Sequence, residues 1–190
     1  TFCRIRPHMK RVTILLLFLL LRPQLVYPSF PTKISGEELH SSKIFSWDMK
    51  SSKKGTVVLF LSSSCPCSNS HIPHLKKLKT EFKNMQFIGI HSNKLAKQKR
   101  IQNYFNKKEV NFPVLYDHDL KIANLFKAIK TPHVFVFNQK GKILFQGGLT
   151  NSVNFKIAKK FYLQEALIDI EKGLIPKQSF ARALGCYISR

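Results

Sequence analysis

The most reactive residue types in this chain meet in one short motif, Cys65-Pro66-Cys67. The motif follows an apolar run at residues 56–61 and a polar turn of serines, and a segment with helical spacing begins directly after it. A cysteine at the start of a helix faces free backbone N–H groups and the positive end of the helix dipole, and both favour the thiolate. The motif therefore predicts redox or nucleophilic chemistry at Cys65.

Metal binding is a second chemistry open to the same segment. Cys67 and His71 are four residues apart, and His74 follows three residues later, so these side chains lie along one helix face. Thiolate and imidazole ligands suit copper or zinc. A solvated or helix-capping role is the simpler interpretation of the two histidines. The alternative metal-ligand set consists of Cys65, Cys67, His71 and one distant histidine, either His133 or His91.

The composition is that of a globular and strongly basic chain. The 190 residues are 44% apolar and 12% aromatic, and the formal net charge is +22. This apolar fraction is enough to bury a core, which argues against disorder. The basic residues are spread along the chain without a nucleic-acid motif, so we expect no specific nucleic-acid binding and keep an anionic membrane surface as an alternative partner. The sequence has no Gly-rich phosphate loop or paired carboxylates, and no bound cofactor is expected.

The first 29 residues predict a targeting segment. A basic stretch precedes an apolar run at residues 12–21, which has the length of a signal-peptide core and is short for a membrane span. We therefore expect export to the periplasm or another extracytoplasmic space, with an N-terminal membrane anchor as the alternative. Met9 precedes two basic residues and is typical of a translation start, so residues 1–8 are interpreted as lying upstream of it.

Residues 30–190 are predicted to form one domain that ends in a cysteine-containing tail at residues 174–190. This part holds three cysteines, Cys65, Cys67 and Cys186. An odd number does not suit a purely structural disulfide framework in an exported protein. One redox pair with a free thiol, or a set of thiols that cycles, fits better.

Alternating strand and helix patterns predict the scaffold that positions these cysteines. The run at residues 56–61 is continuously apolar, as in a central parallel strand, and residues 68–82 have the apolar spacing of a helix. We expect residues 30–43 to be a polar lead-in. The other predicted elements are strands at 43–47, 86–90 and 111–116, helices at 94–107 and 117–126, a hairpin of strands at 131–137 and 142–146, and a helix at 158–172. This order predicts an α/β fold with a mixed central sheet, helices on both faces and a C-terminal β-hairpin plus helix.

Three motifs together resemble a known superfamily. They are VVLFLSSSCPC at residues 57–67, Thr131-Pro132 followed by HVFVFNQKGKILFQGGL, and the tail GLIPKQSFARALGCYI. On these motifs, residues 44–190 resemble the thioredoxin-like superfamily. The nearest branch is the redoxin group, which includes alkyl hydroperoxide reductase and thiol-specific antioxidant relatives.

The resemblance implies a thioredoxin-like fold and a thiol-based activity. Cys65 would be the attacking thiol, and Pro66, Thr131 and Pro132 would shape a groove for an extended partner chain. The implied function is an exported thiol–disulfide oxidoreductase or a peroxiredoxin-like antioxidant protein, whose partner is a protein disulfide, a protein dithiol or a peroxide. Two alternatives stay open, namely a thioredoxin-like copper-binding or metallochaperone module and a non-catalytic thioredoxin-like adaptor.

The departures from that pattern concern the resolving thiol. The usual Cys-x-x-Cys motif would place its second cysteine at position 68, which is Ser68. A disulfide between Cys65 and Cys67 would close a very small ring, and the helix is expected to turn Cys67 away from Cys65. Val58 stands where peroxiredoxins usually carry proline. The sequence therefore leaves the resolving role open between Cys67 and Cys186.

Overall fold

A computed structural model of the protein describes residues 30–190. The predicted targeting segment and the start-site interpretation fall on residues 1–29, which lie outside the described residues, so both stay predictions. Within the described part, the structure contains no helix of the length and apolarity that a bilayer crossing requires.

Between residues 30 and 190, strands and helices alternate along most of the chain. The strands are β1 (Lys33–Glu38), β2 (Ile44–Asp48), β3 (Gly55–Leu61), β4 (Met85–Ser92), β5 (Val114–Asp117), β6 (Lys130–Thr131), β7 (His133–Phe137), β8 (Ile143–Gly147), β9 (Phe180–Ala181) and β10 (Cys186–Tyr187). The helices are α1 (Pro66–Glu81), α2 (Gln98–Lys107), α3 (Lys121–Leu125) and α4 (Tyr162–Glu171).

The large sheet has the strand order β2-β1-β5-β4-β3-β7-β8-β9. Its central strand, β3, pairs in parallel with β4 and antiparallel with β7, and all of its residues are buried. Because successive side chains of a strand point to opposite faces, Leu59 joins the core on one face and Phe60 joins the core on the other. Burial on both faces explains why this strand reads as a continuous apolar run.

Helices cover both faces of the sheet. One core contains the apolar sides of α1, α2 and α4, and the opposite core contains α3 together with residues from β1 and the C-terminal tail. The strands β7 and β8 form the antiparallel hairpin that precedes α4. The predicted mixed sheet with helices on both faces and a C-terminal hairpin plus helix is confirmed.

The N-terminal lead-in differs from the prediction because it contains a strand. β1 lies between β2 and β5 and pairs antiparallel with both. Only Ile34 and Glu38 of this strand are buried, and Glu38 accepts hydrogen bonds from the backbone N–H groups of the following turn. A strand with a single buried apolar side chain has too weak a pattern to be recognised in the sequence.

Three helices are shorter than predicted, and the first of them, α2, begins at Gln98 rather than at residue 94. α3 begins at Lys121 because Asp117 ends β5 and accepts the N–H groups of Ile122 and Ala123, at 3.0 and 2.9 Å. α4 begins at Tyr162 rather than at residue 158, and it ends before Gly173, whose φ of +76° stops the helix. In α3 and α4 the apolar spacing of the sequence extends beyond the turns that are hydrogen-bonded as helix, and the predicted helices were longer for that reason.

Candidate active site

Cys65 occupies the N-cap position of α1, directly after the turn that follows β3. Its Sγ accepts the backbone N–H of Ser68 at 3.5 Å, and Pro66 begins the helix at a position where no N–H is needed. The buried Ser68 hydroxyl accepts the N–H of Ser62 at 3.2 Å and so closes the turn. The predicted position of Cys65 at the start of a helix is confirmed.

The C-terminal tail brings Cys186 to Cys65. β10 pairs antiparallel with β6, which places Cys186 opposite Thr131. The two Sγ atoms are 2.6 Å apart, and both residues are free cysteines. Gly185 makes this approach possible, because a Cβ atom there would lie 2.0 Å from the carbonyl oxygen of Thr131. Its φ of +149° also favours glycine.

Contacts beyond Cys186 hold the tail in place without a disulfide. Ile188 is 6% exposed and packs into the core on the α3 side of the sheet, and its N–H donates to the carbonyl of Ile129 at 3.0 Å. The guanidinium of Arg190 donates to the carbonyl of Ala128 at 2.7 Å and to the side chain of Asn124. The tail is therefore held against the site by contacts of its own.

Cys67 lies in the first turn of α1 and joins the same cluster. The sulfurs of Cys65, Cys67 and Cys186 all lie within 4.8 Å of one another. The expectation that the helix turns Cys67 away from Cys65 is wrong. Cys65 has an extended backbone, with φ −93° and ψ 114°, so its side chain folds over the first helical turn instead of pointing along a helix face.

The loop before β7 forms the other wall of the site. The Thr131–Pro132 peptide bond is cis, and the carbonyl oxygen of Thr131 lies 3.1 Å from the Sγ of Cys65. Thr131 is buried, and its hydroxyl has no hydrogen-bond partner within the described residues. Thr131 and Pro132 thus lie beside the cysteines, and the edge that precedes Pro132 is already occupied by the tail.

The three thiols differ in acidity. Burial alone would raise the pKa of Cys65, but hydrogen bonds with the Cys186 thiol, with Thr131 and with the N–H of Ser68 lower it to about 7. Burial, followed by the interaction with Cys65, raises the pKa of Cys186 to about 12. Burial and the negative charge of Cys65 also raise the pKa of Cys67. Cys65 is therefore the thiol of the three that ionises first.

The histidines do not complete a metal site with the cysteines. His71 is buried, with Nε2 2.9 Å from the Thr150 hydroxyl and Nδ1 2.8 Å from the carbonyl of Cys67. Neither His71 nor His133 belongs to the thiol cluster. Burial lowers the pKa of His133 to about 4 and keeps its ring neutral. The set of two cysteines with histidines is therefore wrong, because the tail supplies Cys186 where a histidine was expected.

Sequence reasoning missed the residues that deliver Cys186. Gly185 allows the close approach, while Ile188 and Arg190 anchor the end of the chain. In the sequence, the signal for this close approach was Gly185, which stands directly before Cys186. Nothing in the spacing of Ile188 and Arg190 indicates which part of the fold they contact.

Comparisons with known proteins agree with this geometry. The AhpC/TSA family matches residues 28–146, which is more than half of the chain. The thiol-disulfide oxidoreductase ResA of Halalkalibacterium halodurans is 24% identical over 104 residues, which cover 53% of this chain and 58% of ResA. The chain thus spans little more than half the length of this curated relative.

Solved structures show the same architecture. An uncharacterised conserved protein from Geobacillus kaustophilus superposes with a TM-score of 0.76 at 21% identity, covering 85% of this chain and 93% of that one. A secreted disulfide oxidoreductase of Mycobacterium tuberculosis superposes with a TM-score of 0.50 at 22% identity, covering 58% of this chain and 79% of that one. At these identities the superpositions establish the fold.

A strand–Cys–helix junction, a cis-proline loop beside it and a mixed sheet between helices define a thioredoxin-like protein of the redoxin branch. The family match over residues 28–146 places the chain within this superfamily: the chain belongs to the AhpC/TSA family. The expected fold and family are confirmed.

Proposed function

We propose that this protein is a thiol–disulfide oxidoreductase in which Cys65 attacks and Cys186 resolves. The observation that carries the proposal is the 2.6 Å separation of the two sulfurs, combined with a pKa lowered to about 7 at Cys65 and raised to about 12 at Cys186. The Cys65 sulfur ionises readily and can attack, while the Cys186 sulfur beside it stays protonated. The ResA relative carries the name of the same activity.

The reaction begins when the Cys65 thiolate attacks one sulfur of a partner disulfide. The partner disulfide breaks, its second sulfur leaves as a thiolate, and a mixed disulfide joins Cys65 to the partner. Cys186 then loses its proton and attacks the Cys65 sulfur, which releases the partner's remaining thiolate. The partner gains two electrons, and the protein ends with a disulfide between Cys65 and Cys186.

Cys186 becomes more acidic once Cys65 has formed the mixed disulfide. Burial raises its pKa, and so do the hydrogen bond to Cys65 and the negative charge there. The mixed disulfide removes that charge, because the Cys65 sulfur is then bonded to the partner. The pKa of Cys186 therefore falls when it has to act as the second nucleophile.

Access to Cys65 depends on the tail. The Cys65 side chain is buried, with 2% of the residue exposed, and β10 covers it on the side of β6. β10 pairs with β6 through two residue pairs, at Thr131 and Lys130, and Ile188 and Arg190 anchor the chain beyond it. A protein disulfide reaches Cys65 after this short strand moves aside, and the return of the strand delivers Cys186 for the second step.

A disulfide substrate is favoured over a peroxide. Within residues 30–190, the hydrogen-bond partners of the Cys65 sulfur are Ser68, Thr131 and Cys186, and no arginine is among them. When a thiolate attacks a peroxide, negative charge develops on the leaving oxygen, and an arginine beside the thiol is one group that would stabilise that charge. Export of the protein is part of the proposal, and it rests on the pattern of residues 1–29.

Single cysteine variants test the proposal, each in a Cys3→Ser background so that only the three clustered thiols remain. After exposure to glutathione disulfide, Cys65→Ser should form no mixed disulfide, and Cys186→Ser should accumulate glutathione on Cys65. Cys67→Ser should still form the disulfide between Cys65 and Cys186. Mass spectrometry of peptides identifies each product. Full exchange activity in Cys65→Ser, or a disulfide between Cys65 and Cys67 as the main product, would overturn the assignment.

A further inference from the structure

The disulfide exchange proposed above uses two of the three clustered sulfurs and leaves Cys67 without a role. Cys67 is nevertheless within 4.8 Å of both other sulfurs, and it is half-buried rather than directed into solvent. Cys65 is buried, and Cys186, like Cys67, is half-buried. The reduced protein therefore presents three convergent soft donors in one small space.

We propose that the reduced protein binds one cuprous ion through the sulfurs of Cys65, Cys67 and Cys186. Thiolates are soft ligands, and soft ligands suit cuprous ion, zinc and iron–sulfur clusters. This role goes beyond disulfide exchange, since it requires all three thiols in the reduced state and no partner disulfide.

The geometry of the cluster fits a three-coordinate ion after a small adjustment. Three sulfurs around one metal, with bonds of about 2.3 Å, lie about 4 Å from one another. The three sulfurs already lie within 4.8 Å of one another, and the Cys65–Cys186 separation of 2.6 Å has to widen. Cys186 is half-buried on a strand with two residue pairs, so its side chain can move outward by that amount.

The absence of a fourth donor favours cuprous ion over zinc. Structural zinc sites take four protein ligands in tetrahedral geometry. Within residues 30–190, the cluster contains three cysteines and no additional histidine or carboxylate. His71, the nearest histidine along the chain, is held by Thr150 and by the carbonyl of Cys67. Three thiolates satisfy a cuprous ion, whereas zinc would be left with an open position.

The protein also offsets the negative charge that three thiolates bring together. Cys65 caps α1, a helix of 16 residues, and accepts the N–H of Ser68. The free N–H groups and the dipole at this end of the helix stabilise negative charge. Binding displaces the thiol protons, so copper affinity should rise with pH.

Disulfide exchange and copper binding exclude each other in this arrangement. When a partner disulfide takes two electrons from Cys65 and Cys186, two of the three ligands become a disulfide that no longer binds the ion. Oxidation therefore releases the ion, and bound cuprous ion protects Cys65 from oxidation. The redox state of the cluster thus controls whether it holds the metal.

Anaerobic titration of the reduced chain with cuprous ion tests the inference, with bicinchoninate as the coloured competitor and Cys3→Ser as the background. We expect the chain to withdraw one equivalent of copper from the competitor. Loss of a metal ligand should weaken binding at least as much as loss of a residue that only supports a ligand, so Cys67→Ser should bind about tenfold more weakly or worse. Ser64→Ala, at an exposed position beside the motif, is the matched control and should bind as the background does.

Two further measurements separate this inference from the proposed function. X-ray absorption of the copper-loaded protein should show sulfur neighbours alone, and Cys67→Ser should keep its reaction with glutathione disulfide. No withdrawal of copper by the background protein would overturn the inference and leave the exchange activity standing. Unweakened copper binding by Cys67→Ser, or nitrogen in the copper environment, would overturn the three-thiolate site. Copper binding through three sulfurs in a protein without exchange activity would overturn only the proposed function.

Discussion

Replacing Cys186 with alanine is expected to raise the pKa of Cys65. Burial opposes ionisation of Cys65, and the hydrogen bond from Cys186 is the largest of the contributions that bring its pKa down to about 7. Alanine removes this donor and leaves the contributions of Thr131 and of the N–H of Ser68, at 3.5 Å, in place. The thiolate of Cys65 should therefore become less stable without being lost.

The size of the effect follows from the strength of one hydrogen bond. A hydrogen bond to a charged group contributes about 1.5–3 kcal/mol, and a change of one in pKa corresponds to about 1.36 kcal/mol. The pKa of Cys65 should then rise by about one to two. At pH 7 the thiolate fraction would fall from about one half to roughly 1–10%, so alkylation of Cys65 should slow by about 5- to 50-fold.

The rise in the pKa of Cys65 is measured from the rate of its alkylation by iodoacetamide between pH 5 and about 9. This range spans the ordinary pKa of a thiol. Quantification of the Cys65 peptide by mass spectrometry separates its reaction from that of Cys67. Cys186→Ser is the matched control, since its hydroxyl keeps a donor near Cys65 and should shift the midpoint less than alanine does. An unchanged midpoint in Cys186→Ala would refute the reasoning that Cys186 stabilises the thiolate.

Three other predictions concern the tail and a buried histidine. Gly185→Ala should slow formation of the Cys65–Cys186 disulfide, because its Cβ would lie 2.0 Å from the carbonyl oxygen of Thr131, and gel-shift analysis of trapped thiols checks this. Ile188→Ala should weaken docking of the tail by about 2–5 kcal/mol, the usual cost of such a truncation in a core. Its mixed disulfide with glutathione should accumulate on Cys65, and equal rates of resolution in Ile188→Ala and the unchanged protein would contradict this anchor. Burial lowers the pKa of His91 from 6.5 to about 4, so the unfolded chain takes up its proton first as the pH falls. The stability that neutral His91 contributes is therefore present above pH 6.5 and is lost toward pH 4. Between about pH 7 and 5, the free energy of unfolding measured in urea should fall by about 2 kcal/mol more in the unchanged protein than in His91→Gln. Equal decreases in the two proteins would contradict the role of neutral His91.

The sequence predicted the elements whose signal is local. β3 is buried on both faces and therefore reads as an apolar run, and α1 shows the spacing of a helix with one buried side. The succession of an apolar strand, a polar turn and a segment with helical spacing also identified Cys65 as the residue at the start of the helix. β1 was missed, because Ile34 is its only buried apolar side chain.

By itself the sequence determined an α/β fold with Cys65 at the start of a helix, because strand and helix periodicity and the start of a helix are encoded by neighbouring residues; the thioredoxin-like character came from the resemblance of three motifs. It could not choose between Cys67 and Cys186, which lies 121 positions from Cys65 along the chain. Only the tertiary structure showed that Cys186 lies directly beside Cys65, which is the contact on which our proposal for its role rests. The close approach at Gly185 and the burial of Ile188 place the tail against β6, and these contacts depend on surfaces that exist only after the sheet has formed.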